Sequence, residues 1–369
     1  MKCGKIIPHF YFHEYRNKSS FYSSHFKRSS KKSSLTKIAG TTNSMYENII
    51  THNDFDGVAS AALCSYIYQI NSIKFAGPDT IERSEITITK NDIVCDLPFP
   101  LECGLWFDHH EGNLHALKYR KIDLDSIAGK FDLQSSCARV IYDHHRNSSA
   151  MAPYFENLVE ATDIIDSFDY DSIESWRSET PAKIIDATIR ARAGSPREKR
   201  GYLKQLVFSL RDNPIEKVAE HLDVAERYQE YLLEEGEIIN IIQQNSYFLK
   251  ADNRHEIIIL DLTKFNRPPY MIKNLAYPIY ADALSVLEVK NIFKRGIKTN
   301  DLSFSLSLSL NLNRKDHSRD AGEIMRELNI GDGHKGAAAG KIQCFSKQDM
   351  LKQKQDVLNE MLSIWQSQA

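Results

Sequence analysis

Asn48-Ile49-Ile50-Thr51-His52-Asn53-Asp54-Phe55-Asp56-Gly57, continuing as Val58-Ala59-Ser60-Ala61-Ala62-Leu63, decides how the rest of the chain is read. Asn48 to Thr51 is a short apolar run suited to a buried strand, and Val58 to Leu63 reads as a helix. Alternation at the end of a strand sends His52, Asp54 and Asp56 towards one side, so an imidazole and two carboxylates converge there. Gly57 lets the backbone turn tightly into the helix. Each residue alone has an ordinary explanation as a cap or a hydrogen-bonded imidazole; the set points to a cation site.

Working outward, short apolar runs at 47–52, 73–77, 92–96 and 104–108 alternate with helical stretches, the pattern of parallel α/β units. Three of these runs end in ligand-type residues. Asp92-Ile93-Val94-Cys95 delivers Asp96 just before Leu97-Pro98, where proline stops the strand. Leu105-Trp106-Phe107 delivers Asp108, His109 and His110. In open α/β sheets ligands bind beyond the carboxyl ends of strands, so a site is expected at these ends. A helix expected over Pro153–Ile165 adds Asp163 and Asp166, three apart and able to share a face, one of them as a further ligand. A second Asp143-His144-His145 closes a helical stretch rather than a strand and reads as a solvated helix terminus.

The composition sets limits. A length of 369 residues suggests two domains, with 42% hydrophobic and 26% charged residues as in an ordinary soluble protein. Six scattered cysteines without a CxxC pair argue for reduced thiols and a cytoplasmic location, not a disulfide framework or zinc site. No apolar run approaches the roughly 18 residues of a membrane span. The net charge of -2 hides an asymmetry: residues 1–44 carry nine Lys or Arg and one acid, a net of +8, which leaves -10 on the remainder. An acidic body does not suit a long duplex, whose phosphates need clustered basic side chains. The Ser- and Lys-rich segment 1–44 reads as a disordered basic arm; a transit peptide and an initiation at Met45 are alternative readings of it.

Four segments follow: the arm at 1–44, an α/β unit at 45–195, a charged helical linker at 196–246, and a second α/β unit at 247–369. In the linker Val218, Leu222, Ala225, Tyr228, Tyr231, Leu232, Ile238 and Ile242 recur at helical spacing. In the second unit His255 to Leu262 is strand-like, and Phe304, Leu306, Leu308 and Leu310 alternate with serines as in a half-buried strand. The run Ile330-Gly331-Asp332-Gly333-His334-Lys335-Gly336-Ala337-Ala338-Ala339-Gly340 reads as a Gly-rich loop able to cradle an anion, or as a place of close packing. Ser346 caps a last amphipathic helix.

Taken in order, His52-x-Asp54-x-Asp56-Gly57, Asp96, Asp108-His109-His110, Asp163, and Gly333-His334 with Ala337-Ala338-Ala339-Gly340 resemble the DHH phosphoesterase superfamily with its DHH-associated C-terminal domain. The likeness covers about residues 46–345 and is nearest to the two-domain nano-RNases and oligonucleotide or dinucleotide phosphodiesterases. The resemblance implies two α/β lobes, a parallel-sheet DHH domain and a smaller mixed-sheet domain, and two Mn²⁺ ions as cofactor. It implies His52 and Asp54 on one ion, Asp56, His109 and Asp163 on the other, and Asp96 bridging. Asp108 would orient the histidines, His110 would face the substrate, and His334, Arg319, Gly331 and Gly333 would bind its end. The implied substrates are short RNA or DNA oligonucleotides or linear dinucleotides, with a homodimer allowed and no membrane partner. A monoesterase acting on 3'-phosphoadenosine 5'-phosphate, an exopolyphosphatase, and a nucleotide-sensing module without turnover are the alternatives. Asp332 stands where the family usually has a third glycine; beside an anion pocket it has to point away or pair with Lys335 or Arg319.

Overall fold

The computed structural model describes residues 45–147, 151–312 and 317–368, so the basic arm lies outside the described residues. Strands β1 (Asn48–Thr51), β2 (Ile73–Phe75), β3 (Asp92–Cys95), β4 (Leu105–Asp108) and β5 (Gly129–Phe131) form one sheet in the order β2-β1-β3-β4-β5, with every pairing parallel. Alternation splits their side chains between two cores. Ile49, Ile93 and Phe107 face one side, and Ile50, Val94 and Trp106 face the other. Both faces are therefore covered, as a parallel sheet requires.

Strand β5 was not anticipated. It is three residues long and begins at a glycine with φ +115, where a Cβ would collide with the Trp106 carbonyl. Only glycine combines that backbone angle with so close an approach.

Around this sheet lie α1 (Phe55–Tyr68), α2 (Pro78–Glu82), α3 (Glu111–Tyr119), α4 (Cys137–His145) and α5 (Phe155–Asp166), then α6 (Ile173–Arg177), which instead buries Ile173 and Trp176 with residues of the second sheet, and α7 (Pro181–Arg190). The charged segment that follows holds three helices, α8 (Pro196–Asp212), α9 (Ile215–Ala219) and α10 (Leu222–Asn245). Ser195 and Glu198 form a reciprocal capping box at the start of α8. Tyr202, Leu203, Leu206, Val207 and Leu210 of α8 bury into the core shared with α1, so α8 covers the first sheet. Helix α10 runs from that core, through Val224, to the second, through Ile238 and Ile242, about 36 Å at the helical rise. Leu222, read as part of its apolar face, is exposed.

The second sheet is mixed. Strands β6 (Ser246–Tyr247), β7 (Ile257–Asp261), β8 (Ser285–Lys294), β9 (Ile297–Leu308), β10 (Gly331–His334) and β11 (Ala337–Ile342) lie in the order β10-β11-β9-β8-β7-β6, with only β7 and β8 parallel. Leu302, Phe304 and Leu306 of β9 are fully buried against α11 (Ala321–Glu327) and α12 (Lys347–Ser367), and Ser346 caps α12 as its sequence suggests. Full burial of each such side chain stabilises by about 1.5–3 kcal/mol.

The Gly-rich run is not a loop. It forms the β10–β11 hairpin, with Gly331 opposite Gly340 and Gly333 opposite Ala338. A Cβ on Gly333 would strike the Ala338 backbone, and one on Gly322 of α11 would strike the Gly333 carbonyl. Close packing of backbone on backbone accounts for these small residues.

Candidate metal centre

The pairing of β1, β3 and β4 builds the centre. Thr51 lies beside Cys95, and Cys95 beside Phe107, so the residues that follow emerge next to one another at the carboxyl edge. These are His52, Asp96, and Asp108 to His110. Asp54 caps α1, accepting from the Gly57 amide at 2.9 Å, and its other oxygen lies 2.5 Å from His52 Nδ1. A Cβ on Gly57 would run into the His52 carbonyl, so glycine is required where helix and strand end meet.

Asp56 is fully buried and also serves α4: it accepts from the amides of Cys137 and Ala138 at 2.7 and 2.9 Å and from Ser60 Oγ at 3.2 Å. Asp96 has φ +56, uncommon for a residue with a side chain, which marks a local strain of about 1–3 kcal/mol. Its amide donates to the Phe107 carbonyl at 3.0 Å.

The histidines have distinct roles. His109 Nδ1 lies 3.0 Å from the Gln134 carbonyl, which can only accept, so in the neutral ring Nδ1 carries the proton and Nε2 the lone pair. That lone pair looks onto Asp166 Oδ2 at 3.4 Å, Asp56 Oδ2 at 3.6 Å and Asp96 Oδ1 at 3.8 Å. His110 Nδ1 donates to Asp108 Oδ1 at 2.9 Å, while Asn113 donates to the other Asp108 oxygen at 2.7 Å. This bond, with burial opposing it, raises the His110 pKa above the usual imidazole value.

Three groups of ligand atoms result, His52–Asp54–Asp96, Asp56–His109–Asp166 and Asp96–His109–His110, each within 4.8 Å. The first two are adjacent and Asp96 lies between them. Burial first, then the neighbouring carboxylates, holds Asp56 and Asp96 well above the ordinary carboxylate range, and burial raises Asp166 as well. Asp96 Oδ2 and His109 Nε2 are buried without a hydrogen-bond partner among the described residues. An acceptor oxygen and an imidazole lone pair, buried and facing other carboxylates, lack what a cation would supply. The donor set, carboxylate oxygens with imidazole nitrogen, fits hard or borderline divalent ions.

The expectation for α5 needs correction. Asp163 points away from the cluster: it accepts from Ser136 Oγ at 2.6 Å and from Arg139 Nε and Nη2 at 2.9 and 2.7 Å. Asp166, one turn on, occupies the place expected of Asp163. The helix carried a signal for this. Leu158, Val159, Thr162 and Ile165 form the buried stripe, and at about 100° per residue Asp166 lies roughly 50° from its centre and Asp163 roughly 110°. Nothing in the sequence singled out Gln134 or Asn113, which hold the histidines.

Arg319 also departs from expectation. It is buried, bonded to Glu256 at 3.1 Å and stacked over Trp365 at 4.3 Å, and so belongs to the core of the second lobe. Gly331, Gly333 and His334 lie on the exposed β10 strand, where His334 Nδ1 accepts from the Gly336 amide. Asp332 pairs with Arg326 at 2.6 Å, and not with Lys335 or Arg319, and it accepts from the Gly333 amide at 2.8 Å. The second Asp-His-His lies at the end of α4 as expected, but it is not fully solvated: His145 is half-buried, its Nε2 contacts the Tyr68 hydroxyl at 3.0 Å, and burial pushes its pKa down to about 4.

No family model matches the sequence, and no curated protein matches it. Solved structures do. A pGpG-specific phosphodiesterase, PggH from Vibrio cholerae, superposes with a TM-score of 0.64 at 20% identity, over 86% of this chain and 99% of its own. A DHH domain from a protein described as belonging to a family of ribosomal proteins gives 0.52 at 12% identity, over 86% of each chain. The chain has the two-lobed fold of DHH-domain proteins.

Proposed function

We propose that this protein is a divalent-metal-dependent phosphodiesterase that hydrolyses linear dinucleotides or short oligonucleotides to mononucleotides. The observation that carries the reading is the pair of adjacent ligand cages with Asp96, a member of the first, reaching to His109 of the second, and with a carboxylate oxygen and an imidazole nitrogen buried there without a hydrogen-bond partner among the described residues. His52, Asp54 and Asp96 would hold one ion, Asp56, His109 and Asp166 the other, and Mn²⁺ suits this mixture of carboxylate and imidazole. Two such ions would lower the pKa of a bound water and polarise the phosphoryl oxygens.

The chain's own groups do the rest. Gln134 fixes the His109 tautomer so that its lone pair faces inward. Asp108, itself steadied by Asn113, keeps His110 protonated to higher pH, and the half-exposed imidazole is placed to donate to a phosphoryl or leaving oxygen. The fold likeness to a protein named for its action on pGpG, and the net negative charge of residues 45–369, favour a short substrate.

The test is turnover by the full chain, stripped of metal and resupplied with Mn²⁺, Mg²⁺ or Co²⁺. The substrates are pGpG, a long RNA, 3'-phosphoadenosine 5'-phosphate and polyphosphate. Metal-dependent hydrolysis of pGpG is expected to dominate and to disappear in Asp54→Ala and His109→Ala. A preference for the long RNA, or unaltered rates in those two variants, overturns the proposal.

A further inference from the structure

Beside the metal centre, α7 and a loop of the second lobe bring basic and aromatic side chains together. Helix α7 packs against α1 and α5, which carry Asp56 and Asp166, and also against α10. Lys183, Asp186 and Arg190 follow one another at spacings of three and four and share a face. Arg190 Nε lies 3.0 and 2.8 Å from the two Asp186 oxygens. Burial, with a contribution from the Asp54 charge, raises the Asp186 carboxyl, so this face is within electrostatic reach of the centre. Lys183 Nζ sits over the rings of Tyr170 and Trp176 at 4.7 and 5.5 Å.

Across from α7 the second lobe presents Tyr270. It follows Pro268-Pro269, which stiffen the loop, and its ring is 37% exposed. The Arg192 guanidinium stacks on that ring at 5.2 Å. Glu234, the nearby acid, is engaged by the Arg192 backbone amide, at 3.0 Å to each oxygen. Burial raises the Tyr270 hydroxyl, and the charges of Arg190, Asp186, Arg192 and Glu234 all act on it, which places it with the α7 face. A rigid, partly exposed ring backed by a guanidinium, with further cations alongside, is the combination that receives a stacked base and its backbone.

We propose that Tyr270, backed by Arg192, is a stacking platform for one nucleobase of the substrate, and that Arg190 and Lys183 attract the phosphate-sugar backbone leading to the metal centre. This rests on the phosphodiesterase reading and narrows it: a single platform beside the centre suits a substrate with one nucleoside beyond the scissile phosphate.

The test uses the full chain with pGpG and two analogues, each lacking one of the two bases. The wild type is expected to favour pGpG over both. Tyr270→Ala lowers kcat/KM for pGpG about tenfold and no longer discriminates against one of the analogues, whereas Tyr270→Phe, which keeps the ring, discriminates like the wild type. Unchanged discrimination in Tyr270→Ala overturns the platform. Calorimetric binding of pGpG to the metal-stripped chain gives a reading free of turnover, with Kd about tenfold weaker in Tyr270→Ala. Binding that depends on Tyr270 without hydrolysis under any metal refutes the phosphodiesterase and leaves the platform standing. Hydrolysis indifferent to Tyr270 does the reverse, and absence of both binding and hydrolysis refutes both.

Discussion

Asp163 and Asp166 differ by three positions and by what they touch, so replacing each with asparagine separates a structural carboxylate from a proposed metal ligand. Asp163 receives two bonds from Arg139 and one from Ser136, with both members of the ion pair about a fifth exposed. Asparagine keeps the shape and loses the charge. Arg139 keeps its place over the Tyr142 ring and a longer contact with Asp143 at 4.0 Å but loses the charge opposite it, so the cost is about 2 kcal/mol, within the range for a charge-assisted bond that is not fully desolvated. Asp163→Asn is therefore expected to lower thermal stability by a few degrees and to bind Mn²⁺ as the wild type does. Asp166 has no such partner network; it faces His109 and the other carboxylates, and burial already raises its pKa. Asp166→Asn removes one of several repelling charges, so the metal-free chain is unchanged or more stable. It should lose affinity for one of two Mn²⁺ ions by more than the ~10–100-fold typical of an outer-shell partner, and hydrolysis with it. Calorimetric titration with Mn²⁺ gives stoichiometry and affinity, and scanning calorimetry of the metal-free chain gives stability. Loss of an ion in Asp163→Asn together with two retained ions in Asp166→Asn would falsify the assignment.

Three further outcomes follow from the geometry. Gly57→Ala forces a methyl group into the His52 carbonyl and is expected to cost more than about 2 kcal/mol in urea denaturation and to weaken metal binding; a neutral effect would show that the approach relaxes freely. Asp108→Asn removes the main cause of the raised His110 pKa, so a rate that needs protonated His110 should fall off at lower pH than in the wild type; an unmoved alkaline limb excludes His110 as the donor. Lys273 is partly buried beside Ser305, and burial pulls its pKa from 10.5 down to about 8. Between those values the unfolded chain binds more protons, so stability should rise with pH from about 8 to about 10.5, and the wild type should gain up to about 3 kcal/mol over Lys273→Met across that window; parallel stability curves for the two would refute it.

What the sequence disclosed of this centre was what depends on local pattern. Strand ends are legible because a parallel sheet needs continuous apolar runs, and a run that stops at His52, Asp96 or Asp108 announces which side chains stand at the carboxyl edge. The neighbourhood of β1, β3 and β4 then brings them together. The helix-borne ligand was harder to choose, because Asp163 is claimed by Arg139 and Ser136, 24 and 27 positions away in sequence, and no local pattern reveals that claim. Arg319 was misread for the same reason: its partners Glu256 and Trp365 lie 63 and 46 positions away. The Gly-rich hairpin was left open between two readings for a different reason. Small residues serve close backbone packing and anion cradles equally, and the close packing shows only once β11 pairs with β9 and α11 approaches β10.

The same geometry ties metal binding to stability. Asp56 and Asp96 are held in the core by amides, a constrained backbone and the surrounding sheet, all of which persist without a cation, while their charges repel one another and His109 Nε2 has no hydrogen-bond partner among the described residues. Without metal the fold must carry that conflict, by taking up protons or by loosening the strand ends. Bound cations would relieve it in the folded state only, because the unfolded chain scatters residues drawn from β1, β3, β4 and α5. The stabilisation by metal should therefore grow with the logarithm of its concentration above Kd. It should also weaken as pH falls and protons compete for the raised carboxylates, since each ion that binds must displace them.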